Sequence, residues 1–209
     1  MFDINNIFIT IFEYNLSYLE FLGVITGILC VYFAAREKVI NFFFIIVSSI
    51  CYFAFFYQCR LYSLMILQLI YCVISIYGIY SWTKRNEQQQ TIKITVLSNK
   101  QRVYIVLSVI SVAVIWAYFM VNISEKFPDF IEKPAYPYID ATITIASIAA
   151  QILLTRKKID NWIIWIITDT AAIILYCKMG IYFTAILYAC FLIIGINAFI
   201  SWKKELNSR

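Results

Sequence analysis

Long apolar stretches alternate with short polar turns along this chain. A membrane span needs about 20 apolar residues, and the pattern predicts seven helices, at 17–35, 39–57, 61–82, 103–122, 138–155, 161–177 and 181–202. Tight turns such as Arg36-Glu37-Lys38 and Lys178-Met179-Gly180 separate neighbouring stretches. One long polar stretch, 83–101, contains Gln88, Gln89 and Gln90, and a second loop, about 124–137, holds Pro128, Pro134 and Pro137. The chain therefore divides into an N-terminal segment (1–16), a three-helix unit (17–82), a linker (83–102), a linking helix (103–122), a second three-helix unit (138–202) and a tail (203–209).

Composition turns this pattern into a membrane assignment. The chain is 63% hydrophobic and 14% charged, with a mean hydropathy of +0.80. A soluble fold with these proportions lacks the polar residues to cover its surface, and a disordered chain is excluded for the same reason. A cleavable signal peptide is not expected, because residues 1–16 include Asp3 and Glu13 and no Lys or Arg. The net charge of +5 reports topology. With seven spans, one set of loops and ends holds Arg36, Lys38, Lys84, Arg85, Lys93, Lys100, Arg102, Arg156, Lys157, Lys158, Lys203, Lys204 and Arg209, and the other only Arg60, Lys126, Lys133 and Lys178. The positive-inside rule makes the first set cytoplasmic, with the N-terminus outside and the C-terminus inside. Nucleic acid is not expected as a partner. There is no histidine, and the six cysteines form no CxxC pair. No metal site, cofactor or histidine acid–base catalysis is expected.

Sliding the chain on itself by 120 residues reveals an internal repeat. Arg36, Lys38 and Asn41 fall on Arg156, Lys158 and Asn161, while Tyr62 falls on Tyr182 and Ser81-Trp82 on Ser201-Trp202. Glu20 meets Asp140. Each copy is three helices, and the single extra span between them gives both copies the same orientation. Parallel repeats are a transporter plan with the site near the midplane.

Polar residues inside spans are costly and usually face the bundle interior. Asp140, Thr144, Ser147 and Gln151 share one face of the fifth helix, and Asn161, Trp165 and Asp169 one face of the sixth, with Trp162 beside it. Gln68, Tyr71 and Ser75 form a stripe on the third. Asn41, Ser48 and Ser49 mark the second, and Thr184, Tyr188 and Asn197 the seventh. Trp162 has two readings, interfacial anchor or pocket wall, and Asn161 two, helix cap or pocket group. Asp140 near its helix start reads as a cap or a water-facing group. Asp169 falls mid-span, where a carboxylate costs roughly 2.5–3.5 kcal/mol, and is read as functional. Aromatic faces, amides and one carboxylate suit a small, polar, cationic aromatic ligand.

The run Tyr57-Gln58-Cys59-Arg60-Leu61-Tyr62, with Leu67-Gln68-Leu69-Ile70-Tyr71 and Tyr77-Gly78-Ile79-Tyr80-Ser81-Trp82, resembles the first repeat of the PnuC nicotinamide riboside transporter family. Asp140-Ala141, the 151–157 run, Asn161-Trp162, Trp165, Leu175-Tyr176 and Gly180-Ile181-Tyr182 resemble its second repeat. The resemblance implies an all-α integral membrane protein with a 3+1+3, SWEET-like plan, and a homotrimer with one pathway per protomer in the bacterial inner membrane. It implies uptake of nicotinamide riboside by facilitated diffusion, trapped by cytoplasmic phosphorylation for NAD biosynthesis. By motif position it implies a ligand site built from Gln68, Tyr71, Gln151, Asn161, Trp162, Trp165 and Asp169. The chain departs from the family at Asp169, an Asn in some relatives, and at Phe42 and Ser49, where many carry Trp and Asn. Sister branches carry thiamine or deoxynucleosides, and thiamine, like nicotinamide riboside, is cationic. Two other classes compete: an intramembrane enzyme using Asp140 and Asp169 as an aspartyl pair, and a membrane scaffold. The two carboxylates fall at different depths, and loops this short give a scaffold little surface. No phosphate loop supports an ATP-driven pump.

Overall fold

The computed structural model describes residues 7–11, 14–87, 93–128 and 132–208. A short hairpin, β1 (Ile7–Ile11) and β2 (Tyr14–Ser17), precedes seven helices. These are α1 (Tyr18–Ala35), α2 (Asn41–Gln58), α3 (Tyr62–Glu87), α4 (Asn99–Lys126), α5 (Pro137–Thr155), α6 (Asp160–Lys178) and α7 (Tyr182–Asn207). All seven are long and apolar enough to cross a membrane.

One region differs from the sequence expectation. The linker read as 83–102 is shorter, because α3 continues to Glu87 and α4 begins at Asn99. Apolar runs end where the bilayer ends, whereas a helix ends where its orphan backbone groups find partners. At α4 that partner is a capping box: Ser98 Oγ accepts from the Gln101 N–H at 3.3 Å, and Gln101 Oε1 accepts from the Ser98 N–H at 3.0 Å. In the N-terminal segment, Ile7–Ile11 pairs antiparallel with Tyr14–Ser17. Phe8 stacks on Phe21 at 4.3 Å, and Ser17 Oγ caps α1 by accepting from the Glu20 N–H at 3.1 Å.

Six helices close a ring in the order α1–α2–α3–α5–α6–α7, with α7 returning to α1; α4 lies outside, against α5. Residues 120 apart make matching contacts. Lys38 N–H donates to the Phe33 carbonyl and Lys158 N–H to the Leu153 carbonyl, both at 2.9 Å. Leu61 to Phe56 and Ile181 to Tyr176 repeat the pattern at the opposite end, again at 2.9 Å. These bonds close helix C-termini around a left-handed residue, which is Glu37, Lys157, Arg60 or Gly180. The Trp82 indole donates to the Thr155 carbonyl at 3.2 Å, and Trp202 to the Ala35 carbonyl at 3.4 Å. Phe42 meets Trp82 edge-on as Trp162 meets Trp202.

Candidate functional site: the ring lumen

The ring surrounds a partly open cavity, with about 780 Å³ of unfilled space once the solvent at its mouth is counted. All six ring helices line it and α4 does not. Helical periodicity explains the selection: Ile45, Ser48, Ser49, Tyr52 and Phe56 lie on one face of α2, and Trp162, Trp165 and Asp169 on one face of α6. Gly27 and Gly195 keep the walls thin. A Cβ at Gly27 would lie 2.9 Å from the Phe191 ring.

Six of the seven residues singled out in the sequence come together here: Gln68, Tyr71, Gln151, Trp162, Trp165 and Asp169. Asn161 is not part of the lining. It is fully buried, and its Nδ2 donates to the Lys158 carbonyl at 2.6 Å, a brace on the α6 entry that Asn41 repeats on Lys38. Trp162 is 2% exposed and lines the cavity, a position unlike that of an interfacial anchor.

The lumen is chemically unfinished. Among the described residues the Asp169 carboxylate has no hydrogen-bond partner, although the residue is 3% exposed. Gln151 Nε2 and the Trp162 indole N–H are buried donors, also without a partner. Buried polar groups are nearly always paired, and leaving one unpaired costs about 1–3 kcal/mol. Ser49 Oγ, on another lining residue, is likewise without a partner, so the cavity wall gathers donors and a carboxylate with hydrogen-bonding capacity to spare. Trp165 and Tyr71 stand 6.3 Å apart, tilted at 55°, and offer aromatic faces beside them. Gln68 Nε2 is already committed to the Leu64 carbonyl at 3.1 Å.

Asp140 lies elsewhere. Its two carboxylate oxygens accept from the Ser63 and Leu64 N–H groups, each at 3.1 Å, and so cap the start of α3. It does not line the cavity that Asp169 faces, so the two carboxylates do not form an aspartyl pair. Glu20, 120 residues earlier, is buried and accepts from Thr184 Oγ1 at 2.7 Å at the start of α7.

Sequence reasoning missed Tyr52, Phe56 and Phe191 as wall residues, and Tyr188 appeared only as a polar mark on its helix. In a chain that is 18% aromatic, another Phe or Tyr carries no positional signal.

A ring of helices long and apolar enough to cross a membrane, around a cavity lined with polar and aromatic side chains, is the plan of a multi-pass transporter. The chain belongs to the nicotinamide mononucleotide transporter family, whose model matches residues 17–204. It is similar to the nicotinamide riboside transporter PnuC of Escherichia coli (strain K12), with 26% identity over 94% of this chain and 89% of that protein. PnuC of Neisseria mucosa is also 26% identical, over 90% of this chain and 73% of its own. The crystal structure of the vitamin B3 transporter PnuC shares the fold, with a TM-score of 0.72 at 24% identity over 91% of this chain and 83% of that one. The family is one of transporters, not enzymes.

Proposed function

We propose that this protein carries nicotinamide riboside across the cytoplasmic membrane by facilitated diffusion, with phosphorylation inside trapping the solute. The observation that carries this reading is the set of unpaired groups on residues that line the lumen: the Asp169 carboxylate, Gln151 Nε2 and the Trp162 indole N–H. A pyridinium ring brings the positive charge that Asp169 lacks, and its carboxamide and ribose hydroxyls bring acceptors for the two donors. Trp165 and Tyr71 supply faces for the ring, at about 0.5–2 kcal/mol per contact. The nicotinamide riboside transporters that this chain resembles support the same substrate.

Two parallel three-helix repeats, α1–α3 and α5–α7, rock about the lumen, with α4 as the link between them. Matching contacts 120 residues apart support this division. The basic loops put the α1–α2 and α5–α6 turns in the cytoplasm, with the N-terminus outside and the C-terminus inside. The outer face of α4, which exposes Tyr104, Ile115 and Tyr118, is the apolar surface available to a homotrimer.

Calorimetric titration of the purified protein in detergent with nicotinamide riboside and with thiamine tests the substrate. Binding of nicotinamide riboside alone supports the proposal. Preference for thiamine keeps the lumen and changes the cargo, and binding of neither removes the substrate assignment.

A further inference from the structure

Where two repeats are related by a pseudo-two-fold axis, a direct contact between equivalent residues must straddle that axis. Among the described residues there are two such contacts, both between residues 120 apart. Phe56 of α2 stacks on Tyr176 of α6, with centroids 6.2 Å apart and planes at 11°. Glu37 and Lys157, in the α1–α2 and α5–α6 turns, form a salt bridge. Helices α2 and α6 face each other across the ring rather than packing side by side, so each pair spans the lumen.

The pairs lie at opposite ends. Phe56 is near the end of α2 and Glu37 lies in the turn before its start, beyond roughly 22 Å of helix from Asn41 to Phe56 at 1.5 Å per residue. The cavity lies between them. It is lined by Phe56 at one end and, at the other, by the equivalent residues Ala34 and Leu154, three positions before Glu37 and Lys157. Tyr52, stacked on Phe56 at 5.2 Å, and Tyr188, edge-on to Tyr176 at 5.0 Å, thicken the aromatic end.

The polar pair carries a conformational cost. Glu37 and Lys157 have φ of 55° and 48°, a region where side chains are disfavoured and glycine is the usual occupant. Gly180 fills the matching place at the opposite end, in the α6–α7 turn. Arg60, in the α2–α3 turn, adopts the same region with φ of 57°, so what sets Glu37 and Lys157 apart is that their side chains pair with each other across the ring. Their side chains are also largely withdrawn from solvent, at 25% and 12% exposed, and Lys157 lies 4.9 Å over the Trp82 ring. The Lys157 turn is braced from behind: Thr95 N–H donates to the Lys157 carbonyl at 3.1 Å, and Ile159 N–H to the Thr95 carbonyl at 3.0 Å. Asp160 then accepts from the Leu97 N–H at 2.8 Å and from Arg102 Nε at 2.7 Å.

We infer that Glu37 and Lys157 are a gate latch, an ion pair that holds one end of the lumen shut, and that the Phe56–Tyr176 stack closes the other end. This inference rests on the transporter reading. Alternating access then consists of exchanging one on-axis pair for the other. Breaking the ion pair opens the lumen at the turn end, with the strapped Lys157 turn as the fixed jaw and Glu37 as the moving one.

Cys30 provides an internal reporter, because it lines the cavity and is buried. A charged, membrane-impermeant methanethiosulfonate is applied to sealed vesicles of each orientation. Modification of the peptide holding Cys30 is then followed by mass spectrometry. Glu37→Gly and Lys157→Gly remove the charges while relieving the backbone, so the turns survive. Each is expected to raise the Cys30 labelling rate at least about tenfold from the turn end only, and the exchange Glu37→Lys with Lys157→Glu to return it to the wild-type rate. Unchanged labelling in the glycine variants overturns the latch, as does an equal rise from both ends or failure of the exchange to restore closure. Labelling needs no substrate, so failure of nicotinamide riboside to bind would defeat the substrate proposal without touching this result.

Discussion

Trp165, Gln151 and Asp169 act on a guest in three different ways, and their variants separate those contributions. Trp165→Ala removes an aromatic face worth about 0.5–2 kcal/mol, so calorimetry is expected to show roughly 2- to 30-fold weaker binding of nicotinamide riboside. Gln151→Ala removes a buried donor that has no partner within the protein. Its melting temperature should hold while affinity falls by about tenfold, a hydrogen bond to a charged or polar guest being worth about 0.5–3 kcal/mol. Asp169→Asn keeps the shape and deletes the charge. An unpaired carboxylate in a span costs roughly 2.5–3.5 kcal/mol, so the apo variant should melt higher while binding the cation more weakly. Unchanged affinity in all three variants would show that the guest does not occupy this lumen. Packing sets a fourth constraint at Gly78, where a Cβ would lie 2.4 Å from Cε1 of the fully buried Phe42 ring. Gly78→Ala is expected to cost about 1–3 kcal/mol in thermal unfolding, with recovery when Phe42→Leu makes room.

Helix ends hold the ring together. Asp140 satisfies two N–H groups at the start of α3 from across the interface, and its negative charge suits that helix end. Asp140→Ala leaves both donors buried, so a loss of about 2–5 kcal/mol is expected in thermal unfolding in detergent. Asp140→Asn retains one acceptor and should lose less; equal losses would mean that the cap is not what Asp140 supplies. Much at this scale was legible. Apolar run length located all seven helices, and the four-residue spacing of Trp165 and Asp169 put them on one face. The α6 stripe nevertheless included Asn161, which shares that face but sits at the helix entry and is drawn to the Lys158 carbonyl. Spacing gives the angle around a helix and does not say which depth the cavity reaches. The strap from Thr95 to the Lys157 turn was illegible because it is made by backbone groups, which leave no mark on side-chain pattern.

Over the whole molecule, several residues matched 120 apart in sequence make matching contacts, with Trp82 and Trp202 each donating to a carbonyl at the end of another helix. Those pairings were readable because polar and Trp matches stand out against an apolar background. The closing of six helices into a ring that excludes α4 was not readable, since α4 is as apolar as its neighbours and only packing distinguishes it. A ring with a latch at each end can carry a solute without an energy source, and its direction then follows the gradient alone. The measurement that tests this most directly is uptake of labelled nicotinamide riboside into proteoliposomes holding the purified protein, with no ion gradient and no nucleotide. Saturable entry that stops when inside and outside concentrations are equal is the expected result, with a kinase sealed inside driving accumulation beyond that point. Entry no faster than in protein-free vesicles, or entry that requires an imposed ion gradient, would contradict facilitated diffusion through this lumen.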